Sequence, residues 1–104
     1  MALQITLWPL ARQDLIDQYV FLEERSEGSA DRFLEMFEET LKDLSQMPQM
    51  GSPQEFKNSK LAGIRKWRVR NFEKHLIFYR PLEDAIEIIR ILYASRDIEA
   101  LFEE

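Results

Sequence analysis

The sequence predicts an α+β fold: an antiparallel sheet with a helix hairpin on one face, in the order β-α-α-β-β-β, followed by a short C-terminal helix. Apolar residues recur at helical spacing between residues 9 and 46, whereas they alternate with polar residues later in the chain. Proline, glycine and asparagine separate these runs at turn positions. The chain has 104 residues, enough for one core, so we expect a single domain over residues 1–104.

The first half of the chain contains one predicted strand and two predicted helices. Residues 2–7 alternate between apolar and polar side chains, which predicts a half-buried strand. Helical spacing of apolar residues predicts a first helix over residues 9–26. Gly28 is a suitable stop for that helix, and Ser29 is a suitable N-cap for a second helix that ends near Gln46. We expect the two helices to pair as a hairpin.

The second half is predicted to be mostly strand. Residues 48–60 are punctuated by proline and glycine and predict a loop. β-Branched and aromatic residues then predict strands over residues 64–70, 72–80 and 85–94, which short turns make antiparallel neighbours. Ser95 is a suitable cap for a final helix that carries Ile98, Leu101 and Phe102. A helix hairpin on one face leaves the other face of the sheet to water or a partner.

The charges are distributed unevenly along the chain. The net charge of −5 argues against nucleic-acid binding by the protein as a whole. Residues 1–56 hold 4 Lys and Arg against 11 Asp and Glu, whereas residues 57–80 hold eight basic residues and one acid, Glu73. Acidic runs on helices are usually solvated faces, so the basic band is the feature that requires an explanation.

Four basic residues of the second half are candidates for function. Lys66, Arg68 and Arg70 share one side of a predicted strand. There they could contact phosphates or an acidic protein surface, or protect a sheet edge from aggregation. Arg90 lies in an isoleucine-rich strand, so it must either pair with an acid or face the open side of the sheet.

The end of the last strand is a second candidate region. Tyr93, Arg96 and Asp97 cluster where a strand leads into a helix, a position that often carries functional side chains, although Arg96 and Asp97 could form a local ion pair. His75 is the only histidine, and a lone strand histidine is more often structural. The sequence has no cysteine, no glycine-rich phosphate loop and no metal-ligand pattern, so we expect no metal and no cofactor.

Four consecutive apolar residues, 19–22, lie near the end of the first helix. One buried stripe cannot accommodate all four, so some apolar surface remains for the second helix or for another chain. No apolar run is long enough to span a membrane, and the N-terminus lacks a basic leader. These observations favour a cytoplasmic protein with a protein partner.

Nearly the whole chain resembles the ParE/RelE superfamily of bacterial toxins from type II toxin–antitoxin modules. The resemblance rests on the segments LWPLARQDLIDQYVFL and PQMGSP, and above all on GIRKWRVRNFEKHLIFYRP and IEIIRILYASRDIEALF. A strand ending in FYR, and a strand leading into SRD and a terminal helix, are typical of the superfamily. The resemblance implies the fold predicted above and a ParD-like antitoxin that wraps the toxin, with Tyr19, Phe21 and Leu22 at the antitoxin interface.

The resemblance implies one of two targets. RelE-like members cut messenger RNA in the ribosome; here Arg68 or Arg70 and Arg96 would hold phosphate, and Tyr93 would transfer the proton. ParE-like members inhibit DNA gyrase through protein binding. In that case the target-binding residues would be Lys66, Arg68, Arg70, Arg90, Tyr93 and Arg96.

Two observations favour the ParE-like branch. Phe102 stands where RelE has a catalytic tyrosine, and phenylalanine has no hydroxyl to move a proton. The net charge of −5 opposes approach to ribosomal RNA at long range. A third alternative is a non-toxic homologue that only binds its antitoxin. In each case contact with operator DNA would be the antitoxin's task.

Overall fold

The computed structural model describes residues 3–94 and 97–102 (for Glu99, the backbone alone) and confirms the predicted α+β element order. The structure adds a two-residue strand within the predicted loop of residues 48–60 and a 3-10 helix at Ser59–Leu61, which overlaps the end of that loop. The elements are β1 (Gln4–Leu7), α1 (Pro9–Arg25), α2 (Ser29–Gln46), β2 (Ser52–Pro53), β3 (Arg65–Val69), β4 (Phe72–Pro81), β5 (Ala85–Tyr93) and α3 (Ile98–Phe102). Within these ranges no helix is long and apolar enough to cross a bilayer.

The sheet is mixed, with the strand order β1-β5-β4-β3-β2. β3, β4 and β5 are antiparallel neighbours as predicted, because short turns join them. β1 instead pairs with β5 in parallel, with Gln4 opposite Ala85. This parallel pair differs from the antiparallel arrangement predicted for the whole sheet. Since β1 and β5 lie far apart in sequence, no short turn constrains their relative direction.

The two long helices have nearly the predicted bounds, but the junction between them differs. Gly28, rather than Ser29, is the N-cap of α2, and no side chain caps the helix there. Gly28 has φ of 83°, a left-handed conformation that reverses the chain and that glycine adopts without steric cost. The prediction of Ser29 as the N-cap was therefore wrong, and Ser29 lies in the first turn of α2.

The helix hairpin covers one face of the sheet and forms the main core with it. Phe33, Phe37 and Leu44 of α2 are buried together with Ile77 and Tyr79 of β4. Because side chains alternate across a strand, His75 of β4 lies on this same face. Full burial of a large apolar side chain contributes roughly 1.5–3 kcal/mol, so this layer supplies much of the stability.

Tyr79 ties the segment before β2 to the main core. Its hydroxyl donates to the Pro48 carbonyl over 2.9 Å and accepts from the Gly51 N–H over 2.8 Å. A Cβ added to Gly51 would lie 2.5 Å from that hydroxyl, so the close approach requires glycine. Burial raises the pKa of Tyr79, which keeps the hydroxyl protonated and able to donate.

The second face of the sheet is partly covered by the chain itself, which corrects the prediction of an open face. Ile64, Phe78, Ile89 and Leu92 form a second buried cluster there. The loop after β2 and the C-terminal helix α3 supply the cover, with the side chains of Phe56, Leu61, Ile98, Leu101 and Phe102. The predicted apolar side of α3 is therefore used within the molecule.

The start of α3 has a hydrogen bond to the side chain of Asp97. The Asp97 carboxylate accepts from the Ala100 N–H over 3.3 Å. This is the hydrogen bond that an N-cap side chain makes to a free N–H of the first turn. Ser95, the predicted cap, lies outside the described residues.

Candidate target-binding edge and partner groove

The predicted basic stripe lies along β3, here called the β3 edge (Lys66, Arg68 and Arg70). Lys66 and Arg68 alternate with Trp67, which packs against the main core. The guanidinium carbon of Arg68 lies 4.7 Å from the centre of the Trp67 ring. β2 pairs only with the first two residues of β3, so β2 does not cover the strand at Arg68. Lys66 is half-buried opposite Ser52, whereas Arg68 is exposed. The register of β3 shifts between Arg68 and Val69, where the strand ends, so the predicted row of three cations on one side does not extend to Arg70.

Arg70 leaves the strand direction and reaches α2. Its Nη2 lies 2.6 Å from Oδ2 of Asp43, and its N–H donates to the Thr40 hydroxyl over 2.9 Å. The side chains of Arg70 and Asp43 remain 48% and 40% exposed, so water screens this ion pair strongly. Arg68 and Arg70 line a shallow cleft of about 260 Å³ between α2 and β3. A protein or phosphate ligand could displace the weak pair and use both guanidinium groups.

Arg90 is part of an internal ion pair. Its Nε and Nη2 donate to the two carboxylate oxygens of Asp14 over 2.8 and 3.0 Å, and its Nη1 donates to the Leu101 carbonyl over 3.2 Å. The side chains of Arg90 and Asp14 are only 13% and 12% exposed. Of the two alternatives left by the sequence, pairing with an acid is the one adopted. This arrangement places Arg90 away from the β3 edge.

The Asp14 carboxylate and the Gln18 amide close the open edge of β5. β1 ends at Leu7, so the outer edge of β5 has no strand partner beyond Ile88. There Asp14 accepts from the Ile91 N–H over 3.0 Å, and the Gln18 amide donates to the Ile91 carbonyl over 2.6 Å. Two side chains one helical turn apart thus satisfy the backbone groups that a further strand would otherwise bind.

Tyr93 lies on the helix side of the sheet, opposite the side to which Lys66 points. Its ring packs edge-to-face on His75, with the ring centres 5.2 Å apart. The predicted target-binding residues thus lie in three different places and do not converge on one site: Lys66 and Arg68 are on β3, Arg90 pairs with Asp14, and Tyr93 packs on His75. Arg96, the remaining predicted target-binding residue, lies outside the described residues.

His75 is buried under α1 and surrounded by aromatic rings. Its Nδ1 lies 2.6 Å from Oε1 of Gln18, and the ring centres of Phe33 and Phe72 lie 4.8 and 6.0 Å away. Burial lowers the pKa of His75, because the charged imidazolium would lose its water. The imidazole is therefore neutral near pH 7.

A groove of about 670 Å³ opens beside His75, between α1 and the adjacent ends of β4 and β5. We call it the α1 groove; its lining consists of Asp17, Gln18, Phe21, Leu22, Arg25, His75 and Tyr93. Phe21 is 45% exposed and forms a wall of the groove, with the Arg25 guanidinium stacked 4.4 Å from its ring centre. Of the three residues predicted to bind an antitoxin, Phe21 and Leu22 lie here together.

Tyr19, the third predicted antitoxin residue, has a different environment. Its hydroxyl donates to the Asp31 carboxylate on α2, which raises the pKa of Tyr19. This contact links the two helices of the hairpin. The exposed apolar side chains on the outer surface of α1 are instead Leu10, Ile16, Val20 and Phe21.

Sequence reasoning missed the contributions of Gln18, Arg25 and His75 to the α1 groove. A signal existed in the first helix: Asp14 and Gln18 are polar residues four apart on the side that otherwise faces the core. Such a pair indicates buried polar partners. What it could not indicate is which backbone groups those partners are. In the part of the chain that the structure describes, no group of three or more His, Asp and Glu side chains is placed to hold a metal ion.

The elements described above define a small α+β domain with a mixed sheet, and comparisons with known proteins place it in a family. The family model that matches, over residues 5–98, is that of the ParE toxin of the type II toxin–antitoxin system parDE. The chain belongs to this family and is a type II toxin–antitoxin toxin. A search of curated proteins found no match.

Solved structures share the fold. The chromosomal ParDE toxin–antitoxin system from P. aeruginosa is similar with a TM-score of 0.67 and 19% identity, over 88% of this chain and 96% of that chain. The YoeB/ParE toxin from Agrobacterium tumefaciens is similar with a TM-score of 0.54 and 18% identity, over 86% and 96%. The YoeB–YefM complex from Staphylococcus aureus is similar with a TM-score of 0.54 and 20% identity, over 89% and 98%.

Proposed function

We propose that this toxin inhibits DNA gyrase by binding to it in the cytoplasm, and that a ParD-like antitoxin neutralises it. The observation that carries the proposal is the match of residues 5–98 to the ParE toxin family. Gyrase as the target is what the resemblance to ParE-like toxins implies. Two of the similar solved structures are named as the ParDE toxin–antitoxin system and the YoeB–YefM complex, which supports an antitoxin partner for this chain.

The arrangement of the candidate residues supports binding rather than RNA cleavage. Acid–base cleavage needs a proton-transfer group within reach of the groups that hold the phosphate. Tyr93 packs on His75 and lines the α1 groove, whereas Arg68 and Arg70 line the separate cleft between α2 and β3. A binding surface has no such requirement, since cations spread along a strand can each meet an acid of the partner.

We assign target engagement to the β3 edge. Arg68 is exposed, and the Arg70–Asp43 pair is weak enough to exchange for a partner's carboxylate. Arg68 is exposed and takes part in no ion pair among the described residues, so charge reversal at Arg68 alone should leave the fold intact. The predicted signature is a loss of target inhibition without a loss of stability.

A supercoiling assay with purified gyrase tests this assignment. The toxin should block supercoiling, and Arg68→Glu should raise the concentration needed for half inhibition by about tenfold or more, which corresponds to roughly 1.4 kcal/mol. Arg12→Glu, an identical charge change on the exposed part of α1, is the matched control and should inhibit like the wild type. No inhibition by wild-type toxin at a large molar excess would refute the gyrase target.

Induction in a sensitive bacterium separates the alternatives. Pulse labelling should show replication failing before protein synthesis, with filamentation and DNA-damage signalling. Translation that stops first, with cleaved messenger RNA, would instead establish a ribosome-dependent nuclease and make Tyr93 and Arg96 the next residues to substitute. Harmless expression of folded protein would indicate a homologue that only binds its antitoxin.

Neutralisation by the antitoxin is tested separately. Co-expression of the protein encoded next to this gene should restore growth and should co-purify with the toxin. Phe21→Asp places a charge on the wall of the α1 groove and should weaken that complex, whereas Glu23→Gln on the exposed surface of the same helix should not. Growth rescue that is equal for both variants would exclude the α1 groove as the antitoxin site.

A further inference from the structure

The orientation of the Gln18 amide determines which nitrogen of His75 carries the proton. The Ile91 carbonyl can only accept a hydrogen bond, so the amide group that lies 2.6 Å from it must be the NH2 of Gln18. The amide oxygen therefore faces Nδ1 of His75, and that nitrogen must be the donor. A neutral imidazole with a proton on Nδ1 presents Nε2 as an acceptor.

Nε2 of His75 has no hydrogen-bond partner among the described residues, and His75 is one of the residues that line the α1 groove. The hydrogen bond of His75 involves Nδ1 alone. Within the described part of the chain no fully buried side-chain nitrogen or oxygen lacks a partner, so Nε2 must touch solvent although the residue is only 6% exposed. The α1 groove is where His75 meets the surface. A buried acceptor that opens onto a groove can receive a hydrogen bond from a ligand.

We propose that the α1 groove is a socket for an aromatic side chain of the antitoxin that carries an N–H or O–H group, which it donates to Nε2 of His75. This inference rests on the proposed antitoxin partner. Phe21, Leu22 and Tyr93 provide apolar and aromatic walls for a ring. Its donor would meet Nε2 of His75, and a ring without a donor would leave that nitrogen dehydrated and unpaired.

Charge complementarity predicts which type of residue lies next to that aromatic side chain in the antitoxin. Arg25 lies at the rim with its guanidinium over Phe21, and no ion pair holds it among the described residues. The other rim group is the Asp17 carboxylate, which accepts a hydrogen bond from Gln13 over 2.9 Å, so an acid of the partner would lie on the Arg25 side, away from Asp17. The partner segment should therefore carry an Asp or Glu that meets Arg25 beside the aromatic residue.

At acidic pH, Nε2 of His75 changes from a hydrogen-bond acceptor to a donor. When the imidazole takes up a proton, Nε2 becomes an N–H and repels the donor of the partner. The described groups around the ring are Phe33 of α2, Phe72 of β4, Tyr93 of β5, and Asp17 and Arg25 of α1. Asp17 and Arg25 carry opposite charges, so their long-range effects on the ring oppose each other. Binding through the socket should weaken as His75 becomes protonated.

The single histidine makes a direct test possible with the wild-type chain. Protein labelled with 15N-histidine gives only the ring signals of His75, and these report both the tautomer and the protonation state. We would titrate it with indole, whose ring N–H only donates, and with benzofuran, which has the same shape and an oxygen instead. At a pH where the ring is neutral, Nδ1 should carry the proton, and indole should bind about five- to tenfold more tightly than benzofuran, the effect of one hydrogen bond.

Two further measurements test whether the probes bind at His75 in the α1 groove. The preference for indole should disappear at a pH where the same signals show a protonated ring. Phe21→Ala should weaken both probes equally because it removes a wall, whereas Val20→Ala, its exposed neighbour outside the groove lining, should change neither. Equal affinity for indole and benzofuran at neutral ring, or a proton on Nε2 instead of Nδ1, would overturn the proposal.

The outcomes separate this inference from the proposed function. If the probes bind alike while the neighbouring antitoxin still restores growth, the donor socket is refuted and the toxin–antitoxin function stands. If indole is preferred but the neighbouring protein neither binds nor restores growth, the acceptor site stands and the antitoxin is excluded as its occupant.

Discussion

The buried pair of Asp14 and Arg90 allows a quantitative test of what holds α1 and α3 on the sheet. Asp14→Ala removes both oxygens that face the Arg90 guanidinium and the acceptor of the Ile91 N–H. Breaking a buried pair by removing one partner costs roughly 3–5 kcal/mol. Because Arg90 keeps its bond to the Leu101 carbonyl, we expect a value near the lower end, about 3 kcal/mol.

A double-mutant cycle isolates the pair from other losses. Arg90→Met removes the cation but keeps an apolar side chain of similar length. In the double variant no charge is left without its partner, so its destabilisation should fall short of the sum of the single changes by roughly 2 kcal/mol. The exposed pair of Arg70 and Asp43 serves as a control, with an expected coupling of at most about 1 kcal/mol.

Urea unfolding followed by fluorescence of Trp8 and Trp67 measures these differences. With a slope of about 1 kcal/mol per molar urea, Asp14→Ala should lower the midpoint by roughly 3 M. A coupling energy below about 0.5 kcal/mol between Asp14 and Arg90 would contradict the reasoning. It would mean that the pair contributes little beyond the packing of its two side chains.

Three further outcomes follow from individual contacts. Tyr79→Phe leaves the Pro48 carbonyl and the Gly51 N–H without their shared partner and should cost about 2–3 kcal/mol in thermal or urea unfolding. Gly51→Ala should destabilise the fold by a comparable or larger amount, because its Cβ would overlap the Tyr79 hydroxyl; a loss under about 1 kcal/mol would argue against the close approach. The pKa of His75 is lowered by burial, so the unfolded chain takes up its proton first as pH falls; unfolding free energy should therefore drop between the usual value of 6.5 and the lower folded-state pKa, and His75→Gln should remove that part of the pH dependence.

The local elements of the fold could be predicted because their signals are local. The pattern of apolar residues predicts two long helices and four strands, and Asn71 marks the tight turn that the structure places between β3 and β4, with φ of 65°. The two-residue strand β2 could not be predicted, since Ser52 and Pro53 are poor strand formers and pair only because β3 presents an open edge. The parallel direction of β1 was missed for a similar reason, because it depends on a partner far away in sequence.

The candidate sites show the same division. Charge counting located the β3 edge, but could not show that Arg70 turns toward Asp43. For Arg90, charge counting left two alternatives. The structure shows the ion pair with Asp14, a partner that lies 76 positions earlier in the chain and that no local pattern could identify. Tyr19 and Phe21 belong to one apolar run, yet one ties α1 to α2 and the other forms the wall of a groove.

The amino-acid sequence is sufficient to identify a small α+β toxin of the ParE/RelE type with an acidic helical half and a basic strand half. Hydrophobic period, turn residues and charge order act between near neighbours, so they can be recognised before folding is considered. The α1 groove, the Nδ1 proton of His75 and the Asp14–Arg90 pair exist only after α1 packs on the end of β5. Each requires atoms from distant parts of the chain to meet within hydrogen-bond distance, which is a property of packing and not of local pattern.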